Sequence, residues 1–334
     1  MSGRLEKENE YERKSQTLLR GMPSIAKQYY VYFKAGASNR TASSSFMYLS
    51  KLKLYFKYLY NMHIDCNNIK VYEKIKPSDI TMYIDFYRHD GKEKGDSAVA
   101  VMFNVVKSFY TFLENNDYIQ KNPCNKLKAP KVNQAPKPVS LNEDEIEKIK
   151  DCILYHEGTF FNNDENEEYW RFRDYLIFTL GCRTGLRCSA IVAIDVDDIN
   201  LDDGYITVIE KGKIEKNMII GENTIDLIRQ WLVMRDRLLR DKTIKALFIT
   251  KHQKRISSAD IGYLINRYST IAVPNKHITP HKMRSTCATN LWSKTHDIYM
   301  VANQLGHSNL ANTRRYTDIS EQELKKVANM MDDL

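Results

Sequence analysis

Lys128-Ala-Pro-Lys-Val-Asn-Gln-Ala-Pro-Lys-Pro-Val-Ser140 divides this chain in two. Three prolines within nine residues exclude a helix and favour an extended, semi-rigid connector with basic side chains along it. Directly after it, Ser140-Leu-Asn-Glu143 has the pattern of a capping box, in which the Ser side chain and the Glu three residues on each satisfy a backbone N–H left unpaired at a helix start. The spacing predicts a second domain opening here with a helix, and 334 residues suit two domains better than one.

Upstream of the connector, apolar residues recur at three- and four-residue spacing through 25–33, 46–59, 80–87 and 99–113, which predicts four helices. Polar or glycine-containing stretches at 34–40 and 89–96 separate them. Downstream, Glu167–Thr184 reads as a long, largely apolar helix. Segments 204–210 and 214–220 alternate as a short hairpin, and 224–239, 258–269, 280–292 and 298–305 return to helix. The division is a flexible extension at 1–20, a helical domain at 21–127, a linker at 128–139 and a second domain at 140–334. The last carries a terminal helix at 320–334, where Leu324, Val327, Ala328 and Met331 form an apolar stripe that needs a partner surface.

The formal charge of +8 is unevenly spread. Residues 1–138 carry 23 Lys and Arg against 13 Asp and Glu, and the remainder 27 against 29. That asymmetry points to a polyanion, most simply nucleic acid, held by the N-terminal half, although charge alone also fits a solvated basic surface. Thirteen of the 21 tyrosines fall in the same half. Tyrosines near Lys51, Lys53, Lys57 and Lys107 can direct hydroxyls toward phosphates while their rings pack inward, and most of the rings are expected to be core. Arg40, Lys51, Lys53, Lys107 and Lys131 are the candidate DNA contacts. Cys66, Cys124, Cys152, Cys182, Cys188 and Cys287 never form a C-x-x-C pair, so neither a zinc site nor a disulfide framework is indicated. With no apolar run near about 20 residues and a charged start at residues 1–11, no membrane partner is expected, and a cytoplasmic, nucleoid-associated location is.

Arg187, Lys211, His281, Arg284 and His307 supply cationic or imidazole groups in the second domain, and spacing alone does not bring them together. His281 and Arg284 are the exception, because residues three apart share one helix face and can flank a phosphate. Thr184-Gly-Leu-Arg-Cys-Ser189, His281-Lys-Met-Arg284, Leu305-Gly-His307 and Tyr316, nine residues after that histidine, resemble in order the motifs of the tyrosine recombinases, the phage integrase or Xer-like family. Lys211 falls on the hairpin 24 residues past Arg187, with Lys213 and Lys216 as neighbours that compete for its role. The resemblance extends over nearly all of the chain.

The resemblance implies a mainly α fold with a small β-sheet: an all-helical core-binding domain plus an α+β catalytic domain, forming a C-shaped clamp on double-stranded DNA. It implies site-specific cutting and rejoining of strands through a 3′-phosphotyrosyl link at Tyr316. A phosphodiester under attack gains negative charge on its non-bridging oxygens, and fixed donors such as Arg187 and Arg284 stabilise that state above the ground state. A phenol with a pKa of about 10 needs help to lose its proton, and His281 is placed to accept it. By resemblance, Lys211 protonates the departing 5′ oxygen and His307 donates to the phosphate. No cofactor is required. No metal is expected, since His277, His281 and His307 lack a carboxylate or cysteine at ligand spacing.

Three positions depart from the family pattern. Ala190 stands where an acidic residue is usual, Ser285 where many relatives have His, and Glu210-Lys-Gly-Lys213 lacks a glycine that often precedes the lysine. The resemblance further implies a homo-tetramer on paired sites, a Holliday junction intermediate and exchange of the terminal helix, which alternatively docks on its own domain. Mobile-element integration, excision and resolution all fit, and the sequence names no accessory DNA-bending protein. Two other functions share these residues: a type IB topoisomerase-like relaxation activity, and a catalytically silent DNA-binding regulator.

Overall fold

A computed structural model describes residues 3–36, 41–131, 139–155, 164–209, 215–307, 310–314 and 316. The chain separates into two units, Gly3–Ala135 and Pro136–Leu334.

In the first unit, α1 spans Gly3–Leu19, α2 Ser24–Ala35, α3 Ala42–Asn61, α4 Lys70–Lys74, α5 Pro77–His89 and α6 Asp96–Asn115. The helix α1 corrects the expectation of a flexible extension over 1–20. It packs along α3, with Ser15 and Leu19 buried, the Tyr11 and Phe46 rings 5.7 Å apart, and the Glu12 carboxylate accepting from Tyr30 at 2.9 Å and Lys34 at 2.8 Å. So polar a helix draws its order from such tertiary contacts more than from its own propensity. Thr41 caps α3 by accepting from the Ser44 N–H, and Pro77 takes the first position of α5, where a missing N–H costs nothing. The core centres on α6, whose Val99, Met102, Val105, Val106, Phe109, Tyr110 and Leu113 are buried. Aromatic rings from α2, α3, α4 and α5 close around it.

In the second unit, α7 spans Glu143–Tyr155, α8 Glu167–Thr184, α9 Cys188–Ala193, α10 Glu222–Leu238, α11 Ser258–Ala272, α12 Pro280–Thr295, α13 Ile298–Leu305 and α14 Ala311–Arg314. Strands β1 (Ile199–Asn200), β2 (Tyr205–Ile209) and β3 (Glu215–Ile219) form an antiparallel sheet in the order β1-β2-β3, with Ile206 opposite Met218. The capping box sits two residues later than its expected place at Ser140. The Asn142 side chain accepts from the Glu145 N–H at 2.8 Å, and the Glu145 carboxylate accepts from the Asn142 N–H at 2.9 Å. Lys276 explains the displacement, since its ammonium donates both to the Ser140 carbonyl at 3.1 Å and to Glu145 at 2.7 Å. Burial opposes ionisation of Glu145, but the bonds from Lys276 and Asn142 outweigh it and hold its carboxyl below the usual range.

Helix α8 runs through the middle of this unit, against α7, α10 and α12. Its Leu176, Ile177, Phe178 and Leu180 are fully buried, as expected of a helix apolar on all sides. Near its start, Arg173 holds Asp174 through Nε at 2.9 Å and Nη2 at 2.6 Å, and the Ile249 carbonyl through Nη1 at 2.8 Å. Desolvation nonetheless raises the Asp174 carboxyl above its ordinary value. Among the described residues, no helix is long and apolar enough to cross a membrane.

Candidate active site

The C-terminal end of α8 sets the site. Gly185 closes the helix in the left-handed region, φ +65°, with its N–H on the Gly181 carbonyl. Only glycine suits this position: a Cβ here would lie 2.7 Å from Leu305 Cδ2 and 3.1 Å from Cys287 Sγ, in a backbone conformation that side chains disfavour. The Thr184 hydroxyl donates to the Leu180 carbonyl at 2.7 Å and accepts from the Leu186 N–H at 3.2 Å, which fixes the chain leaving the helix. Arg187 follows with extended backbone immediately before α9. Its side chain is exposed. Where the resemblance makes an acidic residue usual, Ala190 is half-buried against the apolar core.

Helix α12 begins with Pro280 and carries His281 and Arg284 in its first turn and a half. The two differ in burial. His281 is exposed, whereas Arg284 is 4% exposed. The Arg284 guanidinium donates through Nη1 to the Gly185 carbonyl at 2.6 Å and through Nη2 to the Leu305 carbonyl. The carbonyls at helix ends lack intrahelical donors, and a buried one left unpaired is costly. Arg284 therefore joins the ends of α8 and α13.

The end of α13 delivers His307. Gly306 adopts φ +61°, its N–H bonds the Asn303 carbonyl at 3.0 Å, and the His307 N–H bonds that of Ala302 at 2.9 Å. These two bonds make a Schellman cap, which turns the chain sharply out of the helix. His307 Nδ1 lies 2.9 Å from the Thr313 hydroxyl, which fixes the ring, and Thr313 in turn accepts the Tyr316 N–H through its carbonyl at 2.9 Å. The His307 and Tyr316 rings are nearly parallel, 17° apart, with centroids at 6.4 Å. Tyr316 is 6% exposed and packs with Ala288, Val301 and Leu305.

Arg284, His307 and Tyr316 are thus brought together, with Arg187 two residues beyond a carbonyl that Arg284 holds. Lys211 and Lys213 lie outside the described residues. Lys216 on β3 is committed to α13, its ammonium donating to the Asn303 carbonyl and, at 3.3 Å, to the Asn303 side-chain oxygen. The sequence reading missed Thr313 and Gln304, the latter donating to the Thr184 carbonyl at 3.1 Å. No motif marks either one: Gln304 acts through a contact distant in sequence, and Thr313, six residues past His307, falls between two motif positions without belonging to either. Ser285 donates to the His281 carbonyl at 3.3 Å. Among the described residues, no group of three or more His, Cys, Asp or Glu is placed to hold a metal ion.

In the first unit, Lys51 donates to the Tyr87 hydroxyl at 3.0 Å. Lys53 is exposed on a cleft of about 1140 Å³ that Lys57, Tyr60 and His63 also line. Lys107 is half-buried and Lys131 exposed, while Arg40 and the terminal helix at 320–334 lie outside the described residues.

Residues 140–323 match the Phage integrase family. The chain is 28% identical over 309 residues to the tyrosine recombinase XerD of Staphylococcus epidermidis, covering 92% of this chain and 97% of that one. Two solved structures share its fold. One is the XerH site-specific recombinase in a post-cleavage complex with palindromic difH substrate, with a TM-score of 0.66 at 22% identity, covering 85% of this chain and 78% of that one. The other is a lambda integrase tetramer bound to a Holliday junction, with a TM-score of 0.64 at 16% identity, covering 88% and 76%.

Proposed function

The chain belongs to the phage integrase family, and from that premise we propose that it is a site-specific tyrosine recombinase using Tyr316 to cut and rejoin DNA. The observation that carries this reading is the Arg284 bridge between the Gly185 and Leu305 carbonyls. It ties the segment presenting Arg187 to the turn presenting His307, beside which Tyr316 lies.

In the proposed reaction the Tyr316 oxygen bonds to a DNA phosphorus, its proton passing to His281, while the bond to the 5′ oxygen breaks. That oxygen leaves with a proton from Lys211. Arg187 and Arg284 stabilise the charge gathering on the non-bridging oxygens, with planar guanidinium forks suited to phosphate and protonated at any working pH. His307 donates a further hydrogen bond. The 3′-phosphotyrosyl link conserves one phosphodiester for another, so a 5′ hydroxyl from a second strand reverses the step without ATP or a metal.

The partner is double-stranded DNA carrying recombination sites, with the basic N-terminal half gripping the backbone. Lys51, Lys53, Lys107 and Lys131, together with Arg40, are the proposed phosphate contacts. Four copies act on paired sites and exchange their terminal helices, in the manner suggested by the apolar stripe from Leu324 to Met331. Such a substrate places the protein at cytoplasmic DNA.

The test uses nicked duplexes carrying candidate sites, from which a cleaved strand cannot be religated. The wild-type chain is expected to give a protein–DNA adduct on a denaturing gel, and Tyr316→Phe to bind the same duplex and give none. An adduct persisting in Tyr316→Phe would remove Tyr316 as the nucleophile, and DNA bound tightly with no adduct would favour the silent regulator.

A further inference from the structure

Two consecutive carbonyls at the end of α8 are capped by side chains from two other helices. Arg284 of α12 takes that of Gly185 at 2.6 Å. Gln304 of α13 takes that of Thr184, its Nε2 donating at 3.1 Å while lying 3.4 Å from the Met218 sulfur on β3. A carbonyl only accepts, so the amide must present its NH2 side here. Gln304 carries no charge and exchanges no proton at neutral pH, and it has no part in the reaction proposed above. Its place in the chain is what distinguishes it. It immediately precedes Leu305, whose carbonyl Arg284 holds, and stands three residues before His307. The carbonyl it caps stands three residues before Arg187.

We propose that Gln304 is a positioning residue, holding the segment that carries Arg187 in fixed relation to the turn that carries His307, so that both side chains meet one phosphate. This rests on the reading of Arg187 and His307 as phosphate-binding groups. Two neighbouring contacts act in the same sense: Lys216 holds Asn303 from β3, and Arg284 holds Leu305 from α12. With both present, the last turn of α13 stays folded when Gln304 is changed, and what is lost is its alignment with α8. A misplacement of about 1 Å in a catalytic group costs on the order of 100-fold in rate, far more than the loss of one part-buried hydrogen bond costs the fold.

The full-length chain carrying Gln304→Glu tests this, since the side chain keeps its shape, loses the N–H donor and sets a carboxylate oxygen against the Thr184 carbonyl. Gln304→Lys restores a donor, and Gln304→Leu removes the donor without adding charge if Gln304→Glu melts early. Single-turnover adduct formation on the nicked duplex, DNA affinity and melting temperature are measured together. The 15N signals of the His307 imidazole are recorded without DNA, a readout that needs no activity. Gln304→Glu and Gln304→Leu are expected to slow adduct formation about 10- to 100-fold at unchanged DNA affinity and to shift the His307 signals, with most of both effects recovered in Gln304→Lys. A wild-type rate with unmoved His307 signals would overturn the proposal, as would a slowing matched by an equal loss of affinity or not relieved by Gln304→Lys. A wild-type chain that forms no adduct would overturn the recombinase reading instead, and the His307 signals would then decide the role of Gln304.

Discussion

The buried tyrosines of the first unit and Tyr316 of the second sit in different surroundings. In the first, Tyr29, Tyr30, Tyr55, Tyr72, Tyr83, Tyr87 and Tyr110 are buried as core, and their hydroxyls are satisfied locally. Tyr55 and Tyr110 bond each other at 2.8 Å, Tyr72 donates to the Cys66 carbonyl at 2.7 Å, and Tyr29 donates to Ser108 at 3.0 Å. Burial pushes the hydroxyls of Tyr55, Tyr72, Tyr83 and Tyr110 well above the ordinary phenol value. These groups are held away from ionisation. In the second unit Tyr316 is also enclosed, but beside His307 and next to the helix ends that Arg284 joins. Abundance therefore says little about where tyrosine chemistry happens. Seven buried tyrosines build a scaffold, and the proposed nucleophile owes its role to three elements that meet around it.

The largest expected effect breaks the arginine pair apart. Arg187→Ala and Arg284→Ala should each slow adduct formation by about 10²–10³, the usual cost of removing one preorganised donor. Their melting temperatures should differ. Arg187 is exposed, so its loss leaves the fold intact, whereas Arg284→Ala orphans two helix-end carbonyls at about 1–3 kcal/mol each. Equal melting temperatures would show that the Arg284 bridge does not hold the site together.

A smaller effect sharpens the contrast between the units. Tyr110→Phe leaves the buried Tyr55 hydroxyl without its partner and should cost about 1–2 kcal/mol in thermal or urea unfolding, with no change in the rate of adduct formation. A slower reaction at unchanged DNA affinity would draw the tyrosine core into the site.

How much of this was legible in the sequence depended on how local each interaction is. The apolar spacing placed α2, α3, α5, α6 and α8 because each buries a continuous stripe or a whole surface. The short α4 and α9 carry too few residues for a period to show, and α1 is so polar that its burial against α3 left little trace. The cap of α7 was misplaced by two residues although Asn142-Glu-Asp-Glu145 fits the same pattern. The choice between two overlapping boxes is made by Lys276, more than 130 residues away. The motifs named the chemical groups of the site, and Gly185 lay within one of them. They did not show that Arg284 faces inward onto two carbonyls, nor that Thr313 and Gln304 support the site, since those facts depend on where three helix ends meet.

The smallest effect tests that cap by pH. A carboxyl held below its usual range contributes stability above that range and loses it as pH falls through its folded-state pKa. Glu145→Gln should therefore melt lower than wild type at pH 7, by no more than about 1 kcal/mol, with the gap closing as pH falls below about 4. A gap independent of pH would mean that the charge on Glu145 contributes nothing.

The central claim is that one tyrosine among 21 becomes joined to DNA. The direct measurement is to trap the adduct on a nicked duplex, digest the DNA and the protein, and locate the nucleotide-bearing peptide by mass spectrometry. The account predicts a single modified residue, Tyr316, linked to a 3′ phosphate. A nucleotide on any other residue, or a 5′ linkage, would contradict it.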